Sequence, residues 1–420
     1  MFTTKDAALF MSSFSVYKGI LHRTVPGAFY RLLCAYDAPP VEFARAWGEF
    51  FALLSERGYS DNLSRCLSET ALFDENAFSK AAAAGTEGQL GAYVKKAVKR
   101  DVEIIQQIGA MTAVENRAQS NTHRLDELGC VAETLPHWGV GAPIDELSGG
   151  AQACIEKMAA YYRAHGCGMY ARYRAFIWRD GGIQPVVYPD PIRLKSLKGY
   201  EAARRVVIDN TLAFLNGLTA NNCLLYGDRG TGKSSTVKAV LNEYAPQGLR
   251  MVEMPKDRLG DFPKLVEQIA ALPLRFIIFI DDLSFTQQDD TYAALKAVLE
   301  GGLASQPDNA LIYATSNRRH LVRECFSDRD GDEIHRGDTI QESLSLSDRF
   351  GLSVNFSVPD KIKYLDIVHA LAAERDLEID SASLEAGAER WALERGGRSP
   401  RCAKQYIAMV ESRLKQGLPL

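Results

Sequence analysis

A glycine-rich loop in the middle of the chain has the residue types and spacing that hold the phosphates of a nucleotide. It completes the pattern G-x-x-x-x-G-K-[ST], followed by a second serine, with the residues Gly227, Asp228, Arg229, Gly230, Thr231, Gly232, Lys233, Ser234 and Ser235. A short apolar run precedes the loop, and an amphipathic helix is expected after it. Backbone N–H groups and the positive end of that helix would hold the phosphates. Lys233 is expected to reach the β- and γ-phosphates of ATP, and the Ser234 hydroxyl to ligate Mg²⁺.

Polar side chains follow two later apolar runs, at the points where strands are expected to end. Asp281 and Asp282 come directly after the run 276–280. A carboxylate at a strand tip beside the phosphate loop is what a Mg²⁺ shell needs, so Asp281 is expected to act on the metal through water. Asp282 is placed to orient or deprotonate the attacking water. Asn317, after the run 310–315, could contact the γ-phosphate or hold that water.

Strands and helices alternate in the second half of the chain. The apolar runs that predict strands are 223–226, 249–254, 276–280 and 310–315, with helical segments between them. Such alternation is typical of a parallel sheet covered by helices on both faces. From residue 360 onward the strand signals vanish, and about three helices remain. We therefore predict an α/β nucleotide-binding core over 191–358 and a helical segment over 359–420.

The first 165 residues are predicted to form a mostly helical domain. Apolar residues recur at helical spacing in two stripes: Phe43, Trp47, Phe50, Phe51 and Leu54, and Val94, Val98, Val102 and Ile105. These stripes are typical of a helix-bundle core rather than of a ligand site. Residues 166–190 are predicted to be a β-hairpin and a linker, because apolar runs flank the turn residues 180–182 and prolines follow.

Composition is that of a globular protein with no global attraction to nucleic acid or to an anionic membrane. The 420 residues include 49 basic and 53 acidic ones, which gives a net charge of −4. No apolar run is long enough to span a membrane, and the N-terminus has no apolar segment of the kind found in secretion signals. The eight cysteines lack metal-binding spacing. These features favour a cytoplasmic location without a membrane partner.

With its phosphate loop and acidic strand tip, the second half of the chain resembles the AAA+ ATPases. Residues 280–285 and 347–351 resemble the replication-initiator and Holliday-junction-motor members of that superfamily. Residues 332–335, 337–339 and 344–351 are similar, more narrowly, to an uncharacterised bacterial family of predicted AAA+ ATPases, DUF815. The resemblance implies an α/β P-loop NTPase core of the AAA+ type with a C-terminal helical lid, preceded here by the mostly helical N-terminal domain.

The resemblance also implies roles for individual residues. Asn317 would be the sensor-1 residue, and Arg349 would be the arginine finger that enters the nucleotide site of a neighbouring subunit. Arg401 would be the sensor-2 arginine of the lid, with Arg398 as the competing choice. Tyr200, within the segment 197–201, would lie near the adenine. A guanidinium stabilises transition-state charge on the γ-phosphate, and one supplied by another subunit makes hydrolysis depend on assembly.

One residue departs from the common AAA+ pattern, which has Asp-Glu where this chain has Asp281-Asp282. The shorter side chain of Asp282 would hold the water less well, so slow hydrolysis is expected. The first hypothesis is an ATPase that forms homo-oligomers and remodels or loads a macromolecular partner, either protein or nucleic acid. The second is an ATP-gated assembly switch with negligible hydrolysis. A small-molecule kinase is the third, although Arg349 and Arg401 would have no natural role in it.

A mixture of aromatic and basic residues precedes the core and allows a nucleic-acid hypothesis. Six aromatic residues alternate with four arginines: Tyr161, Tyr162, Tyr170, Tyr173, Phe176 and Trp178, with Arg163, Arg172, Arg174 and Arg179. Such mixtures bind single strands by stacking and phosphate contact. They also occur in ordinary packing, where arginine stems cover apolar surface. Both interpretations remain open from sequence, and packing is the favoured one.

Overall fold

The structure, a computed structural model, describes residues 4–113, 130–284, 295–296, 298–299, 307–317 and 349–418. It divides into two compact units, Met1–Arg172 and Tyr173–Leu420, which we describe separately. Part of the family resemblance (285, 332–335, 337–339 and 344–348) lies outside the described residues. Within the described ranges, no helix is both long and apolar enough to cross a membrane.

The first unit is helical, as predicted. Its helices are α1 (Thr4–Ser12), α2 (Thr24–Cys34), α3 (Pro40–Glu56), α4 (Leu63–Leu72), α5 (Ala77–Ala83), α6 (Ala92–Gly109), α7 (Cys130–Thr134), α8 (Ala151–His165) and α9 (Gly168–Arg172). The predicted stripes on α3 and α6 contribute to one core, except for Phe51, which is only partly buried. Trp138 lies among the aromatic rings of that core, with its ring centroid 4.8 Å from that of Trp47 and 4.9 Å from that of Phe50. Burial of such rings is a large part of the stabilisation of a helical core.

A fully buried carboxylate fixes the segment between α1 and α2 onto α6. Asp101 Oδ2 accepts backbone N–H groups from Ser15 (3.0 Å), Val16 (2.8 Å) and Tyr17 (3.1 Å). Asp101 has no exposed surface. Three donors that no helix satisfies are therefore satisfied by one side chain.

We expect Asp101→Ala to destabilise the first unit by about 3 kcal/mol or more, because three backbone donors would lose their acceptor. Asp101→Asn keeps an acceptor oxygen and should lose less. Urea denaturation, with hydrogen exchange read at residues 15–17, measures both effects. Glu103→Ala, at an exposed position of the same helix, is the control and should match the wild type. Equal stability of Asp101→Ala and Glu103→Ala would contradict the prediction.

The second unit is built on a seven-stranded sheet of order β2-β1-β4-β5-β6-β3-β7. The strands are β1 (Ala175–Arg179), β2 (Gly182–Pro185), β3 (Cys223–Gly227), β4 (Leu249–Glu253), β5 (Arg275–Ile280), β6 (Ala310–Ser316) and β7 (Leu352–Phe356). The helices described between the strands are α10 (Glu201–Leu215), α11 (Lys233–Tyr244) and α12 (Phe262–Ile269). All strand pairs are parallel except β1 with β2. This confirms the predicted α/β fold, and it adds β7, which the sequence did not predict.

The hairpin differs from its predicted place between the two domains. Its two strands pair as expected, but β1 also pairs in parallel with β4, so the hairpin forms one edge of the core sheet. Phe176 and Trp178, on one face of β1, are each 1% exposed. Their burial supplies the physical reason for the pairing. The division between the units accordingly falls at residues 172 and 173 rather than across a linker at 166–190.

The aromatic and basic residues between 161 and 179 mainly take part in packing within their own units. Tyr162 in the first unit is fully buried, as are Phe176 and Trp178 in the second. Arg163 pairs with a glutamate of its own unit, and the Arg174 guanidinium donates to an asparagine Oδ1 at 2.7 Å. These contacts favour the packing interpretation over a nucleic-acid surface.

Three helices complete the second unit: α13 (Lys361–Ala373), α14 (Ser381–Glu394) and α15 (Pro400–Lys415). They pack around their own apolar cluster, as predicted for 359–420. Each begins at a side chain that accepts a backbone N–H of its first turn: Asp360, Asp380 and Ser399. Such N-caps fix where a helix begins. Ser399 and Pro400 therefore set the first turn of α15, which carries Arg401.

Candidate nucleotide-binding site

A cavity of about 560 Å³ lies over the phosphate loop, at the carboxyl ends of the parallel strands. Its walls come from residues 229–236, from the tips of β5 and β6, and from the lid helices α13 and α15. The carboxyl edge of a parallel sheet is the usual place for a ligand in folds of this kind. The cavity is therefore the candidate functional site.

The backbone of the loop needs glycine at its start. Gly227 has φ of +132°, and a Cβ there would lie 2.2 Å from the carbonyl oxygen of Phe356. Gly232, with φ of +96°, is the N-cap of α11. Because these conformations strongly favour glycine, the chain can turn at the tip of β3 and enter α11 with its first N–H groups unpaired by the helix.

Lys233 folds back across the loop instead of extending into solvent. Its Nζ donates to the carbonyl oxygens of Gly227 (2.8 Å) and Asp228 (2.7 Å) and to Asn317 Oδ1 (3.2 Å). Burial lowers the pKa of Lys233, an effect that nearby carboxylates partly oppose. An anionic ligand at this position would favour the charged amine.

Asp281 joins the loop to the tip of β6. The Ser234 hydroxyl donates to Asp281 Oδ1 at 2.6 Å, and the Thr315 hydroxyl donates to the same oxygen at 2.5 Å. A hydroxyl and a carboxylate are thus in contact at the foot of the cavity. Hard oxygen donors of this kind fit Mg²⁺, so Ser234 and Asp281 have the chemistry predicted for the metal position.

Asp282 and Asn317 form a second pair beside the first. Asn317 Nδ2 donates to Asp282 Oδ1 at 2.6 Å, and the Asp282 backbone N–H donates to the Thr315 hydroxyl at 3.0 Å. Asp282 has φ of +51°, a strained value for a residue with a side chain. The strain is held by these contacts, and strained residues cluster at functional sites.

The lid contributes two cations from one face of α15. Arg401 and Lys404 both line the cavity, and the Arg401 backbone N–H donates to the Gly230 carbonyl oxygen at 3.2 Å. Arg398 instead makes two hydrogen bonds to Glu389, at 2.9 and 2.6 Å, and lowers the pKa of that carboxyl. Of the two arginines left open by the sequence, only Arg401 lies at the cavity.

One side of the cavity has an apolar wall formed by Ile192, Leu197, Ile367 and Leu371. Tyr200 does not line this cavity; it lines a neighbouring one. Its ring stacks on Phe356 with centroids 5.3 Å apart, and burial raises the pKa of its hydroxyl to about 12. The segment 197–201 therefore reaches the cavity through Leu197 and Lys198 rather than through Tyr200.

Arg349 lies at the amino-terminal ends of the strands, opposite the ends that carry the cavity. It precedes β7 and lines a cleft with Asn221 and Asn222, just before the start of β3. Because β3 and β7 run parallel, this cleft is a strand length away from the loop that follows β3. Within one chain Arg349 is therefore remote from the phosphate site.

Gly227 and Asp228 also stand outside the set of residues that line the cavity, although the rest of the predicted loop, residues 229–235, lines it. The sequence analysis did not predict several residues that line the cavity, among them Thr315, Lys404 and the apolar wall.

Thr315 could have been predicted as a hydroxyl two residues before Asn317 on a buried strand. Lys404 could have been found from its position one helical turn after Arg401.

A protein-family model matches most of the second unit. Residues 171–414 match the family described as "Protein of unknown function (DUF815)". A 26S proteasome regulatory subunit 6B homolog from Encephalitozoon cuniculi is 25% identical over 178 residues, covering 39% of this chain and 41% of the relative. The zinc import ATP-binding protein ZnuC of Yersinia enterocolitica is 29% identical over 150 residues, covering 35% of this chain and 58% of the relative. The matches therefore span about two fifths to three fifths of these relatives' lengths.

Two solved structures show low overall similarity to the chain. The Thermotoga maritima RuvB Holliday junction branch migration motor is 18% identical, with a TM-score of 0.37 over 54% of this chain and 66% of that one. AMPPCP-bound DnaA from Aquifex aeolicus is also 18% identical, with a TM-score of 0.39 over 56% of this chain and 69% of that one. The family match covers more than half of the sequence, and the chain belongs to the DUF815 family.

Proposed function

We propose that this protein binds ATP with Mg²⁺ in the cavity over the phosphate loop and hydrolyses it at an interface between copies of the chain. One observation carries the proposal. Lys233, the Ser234–Asp281 pair and the Asp282–Asn317 pair meet in one cavity, connected by hydrogen bonds of 2.6 to 3.2 Å. These are the groups that phosphoryl transfer to water requires.

Each group has one task in this reaction. Lys233 and the loop N–H groups bind the β- and γ-phosphates, and Arg401 and Lys404 approach them from the lid. Ser234 and Asp281 would hold Mg²⁺, which neutralises charge on the phosphate oxygens when bound. Asp282 accepts a hydrogen bond from the attacking water and orients it toward the γ-phosphate. Asn317 fixes Asp282 and stands beside Lys233, so it connects the water position to the phosphate position.

Arg349 is the reason for placing hydrolysis between subunits. In its own chain it is separated from the phosphate loop by the length of a strand. A second copy that met this edge with its open cavity would bring Arg349 to the γ-phosphate. Such a guanidinium contributes about 10³- to 10⁵-fold to hydrolysis in related nucleotide chemistry.

The assembly switch remains a second candidate, and the geometry of Asp282 favours it. This carboxylate already accepts a close hydrogen bond from Asn317 and is one methylene shorter than the common glutamate. A carboxylate held back in this way would orient water poorly, and ATP would then mainly drive assembly. In either case a macromolecular partner would be remodelled, loaded or released according to the nucleotide bound.

We expect Lys233→Ala to lose ATP affinity and Arg349→Ala to lose ATP turnover. Lys233→Ala should weaken ATP binding about tenfold to hundredfold, because it removes charge-assisted hydrogen bonds to phosphate. Arg349→Ala should bind ATP like the wild type and lose at least about a hundredfold in turnover. Titration calorimetry and steady-state ATPase assays over a range of protein concentrations, with the oligomer measured by mass photometry, check both.

Arg398→Ala is the matched control for an arginine outside the cavity and should keep wild-type turnover. Wild-type activity that rises as oligomers form would support the shared site. Equal turnover of Arg349→Ala and wild type at matched concentration would contradict it. Assembly on ATP without measurable turnover would support the switch instead.

We expect Thr315→Val to lower the affinity of the site for Mg²⁺ and to leave the fold intact. Valine keeps the shape of threonine but cannot donate to Asp281 or accept from the Asp282 backbone. The Mg²⁺ concentration for half-maximal ATP binding should rise about fivefold, the size expected for loss of the hydrogen bond from Thr315 to Asp281. Thr315→Ser retains the hydroxyl and should behave like the wild type. Equal Mg²⁺ dependence of both variants would contradict the role of Thr315.

A further inference from the structure

The side chain of Asp228 contacts the start of the lid rather than the nucleotide cavity. Asp228 Oδ2 accepts the Val358 backbone N–H at 2.9 Å. The Asp228 backbone N–H donates to the Phe356 carbonyl oxygen at 3.1 Å. The second residue of the phosphate loop thus makes hydrogen bonds both to the last residue of β7 and to the segment that follows it.

That chain, residues 357–360, is the covalent connection from the core sheet to the lid helix α13. It is held from the other side as well, because the Tyr200 hydroxyl donates to the Ser357 carbonyl oxygen at 2.5 Å. Tyr200 also stacks on Phe356. Asp228 and Tyr200 therefore fix three consecutive residues at the point where a movement of the lid must begin.

The loop holds the lid at a second place. Gly230, two residues after Asp228, accepts the backbone N–H of Arg401 at the start of α15. One short loop is thereby bonded to both the first connecting residues of the lid and its last helix. Any shift of the loop when phosphates bind would therefore move its contacts with both Val358 and Arg401.

We propose that Asp228 is a positioning residue that fixes the lid to the phosphate loop and so places Arg401 over the phosphates. The inference rests on the proposed function, because it concerns the same nucleotide. It assigns the Asp228 carboxylate a role as a hydrogen-bond acceptor for the lid connection. The competing role is electrostatic: a negative charge near the phosphates would repel them, and its removal would tighten binding.

The two roles predict opposite results for Asp228→Asn. Asparagine keeps an acceptor oxygen and loses the charge, so it should bind ATP about as the wild type does if Asp228 acts by positioning. Asp228→Ala loses the acceptor and should bind ATP about threefold to tenfold more weakly, which corresponds to one hydrogen bond. Tighter binding by both variants would support the electrostatic role and contradict the proposal.

A double-mutant cycle with Arg401 tests whether positioning is the mechanism. Affinities of the full-length chain for MgATP are measured by calorimetry for wild type, Asp228→Ala, Arg401→Ala and the double variant. If Asp228 acts through Arg401, the double variant should bind no more weakly than Arg401→Ala alone, since the placed group is already gone. Additive losses would overturn the proposal.

Two further measurements keep the outcome decisive. Thermal unfolding of the unliganded variants shows whether any affinity loss reflects a damaged fold, and Asp209→Ala, an exposed carboxylate of the same unit, should match the wild type throughout. An Asp228→Ala protein that unfolds is replaced in the cycle by Asp228→Asn with its own double variant, in which a wild-type affinity supports positioning and a loss contradicts it. Failure of the wild type to bind ATP would contradict the proposed function itself, before the cycle begins.

Discussion

Parallel pairing of β3, β6 and β5 is the constraint on which the site depends. Tyr226 lies opposite Ser316, and Ile280 lies opposite Ala314, so the three strands end at nearly the same level. The loop after β3, the aspartates after β5 and the asparagine after β6 are therefore neighbours, although they are far apart in sequence. The hydrogen bonds that join them at the strand tips are consequences of this register.

Most of the chemistry of the site could be predicted from sequence because it is local. A glycine pattern requires certain backbone angles, a lysine and a serine follow at fixed positions, and a buried strand presents its next side chains at the edge of the sheet. Asp281, Asp282 and Asn317 were predicted on that ground alone. The structure brings them into one cavity with Lys233.

The features that the sequence did not predict depend on contacts between distant parts of the chain. The hairpin reads as an independent unit, yet β1 pairs with β4, and no local pattern in either strand specifies that partner. β7 alternates between buried and exposed residues at the end of the sheet, which gives a weaker signal than the buried central strands. The Tyr200 ring stacks on Phe356, a residue of β7, and no local pattern around Tyr200 predicts that contact. The ion pair between Arg398 and Glu389, which keeps Arg398 from the cavity, likewise joins residues whose pairing the local sequence does not specify.

The loop can transmit the nucleotide state only through contacts that differ between ATP and ADP. A ligand shifts a conformational equilibrium by no more than its difference in affinity for the two conformations. In the proposed site, the groups able to sense the γ-phosphate include Lys233 and Asn317 in the core, Arg401 in the lid and Arg349 of a neighbouring copy. Arg401 belongs to the lid and Arg349 to another copy, so two of these contacts change the arrangement of larger bodies when they form. Under the proposed function, slow hydrolysis would still suffice for regulation, because a long-lived ATP state would prolong the assembled arrangement and cleavage of the γ-phosphate would end it.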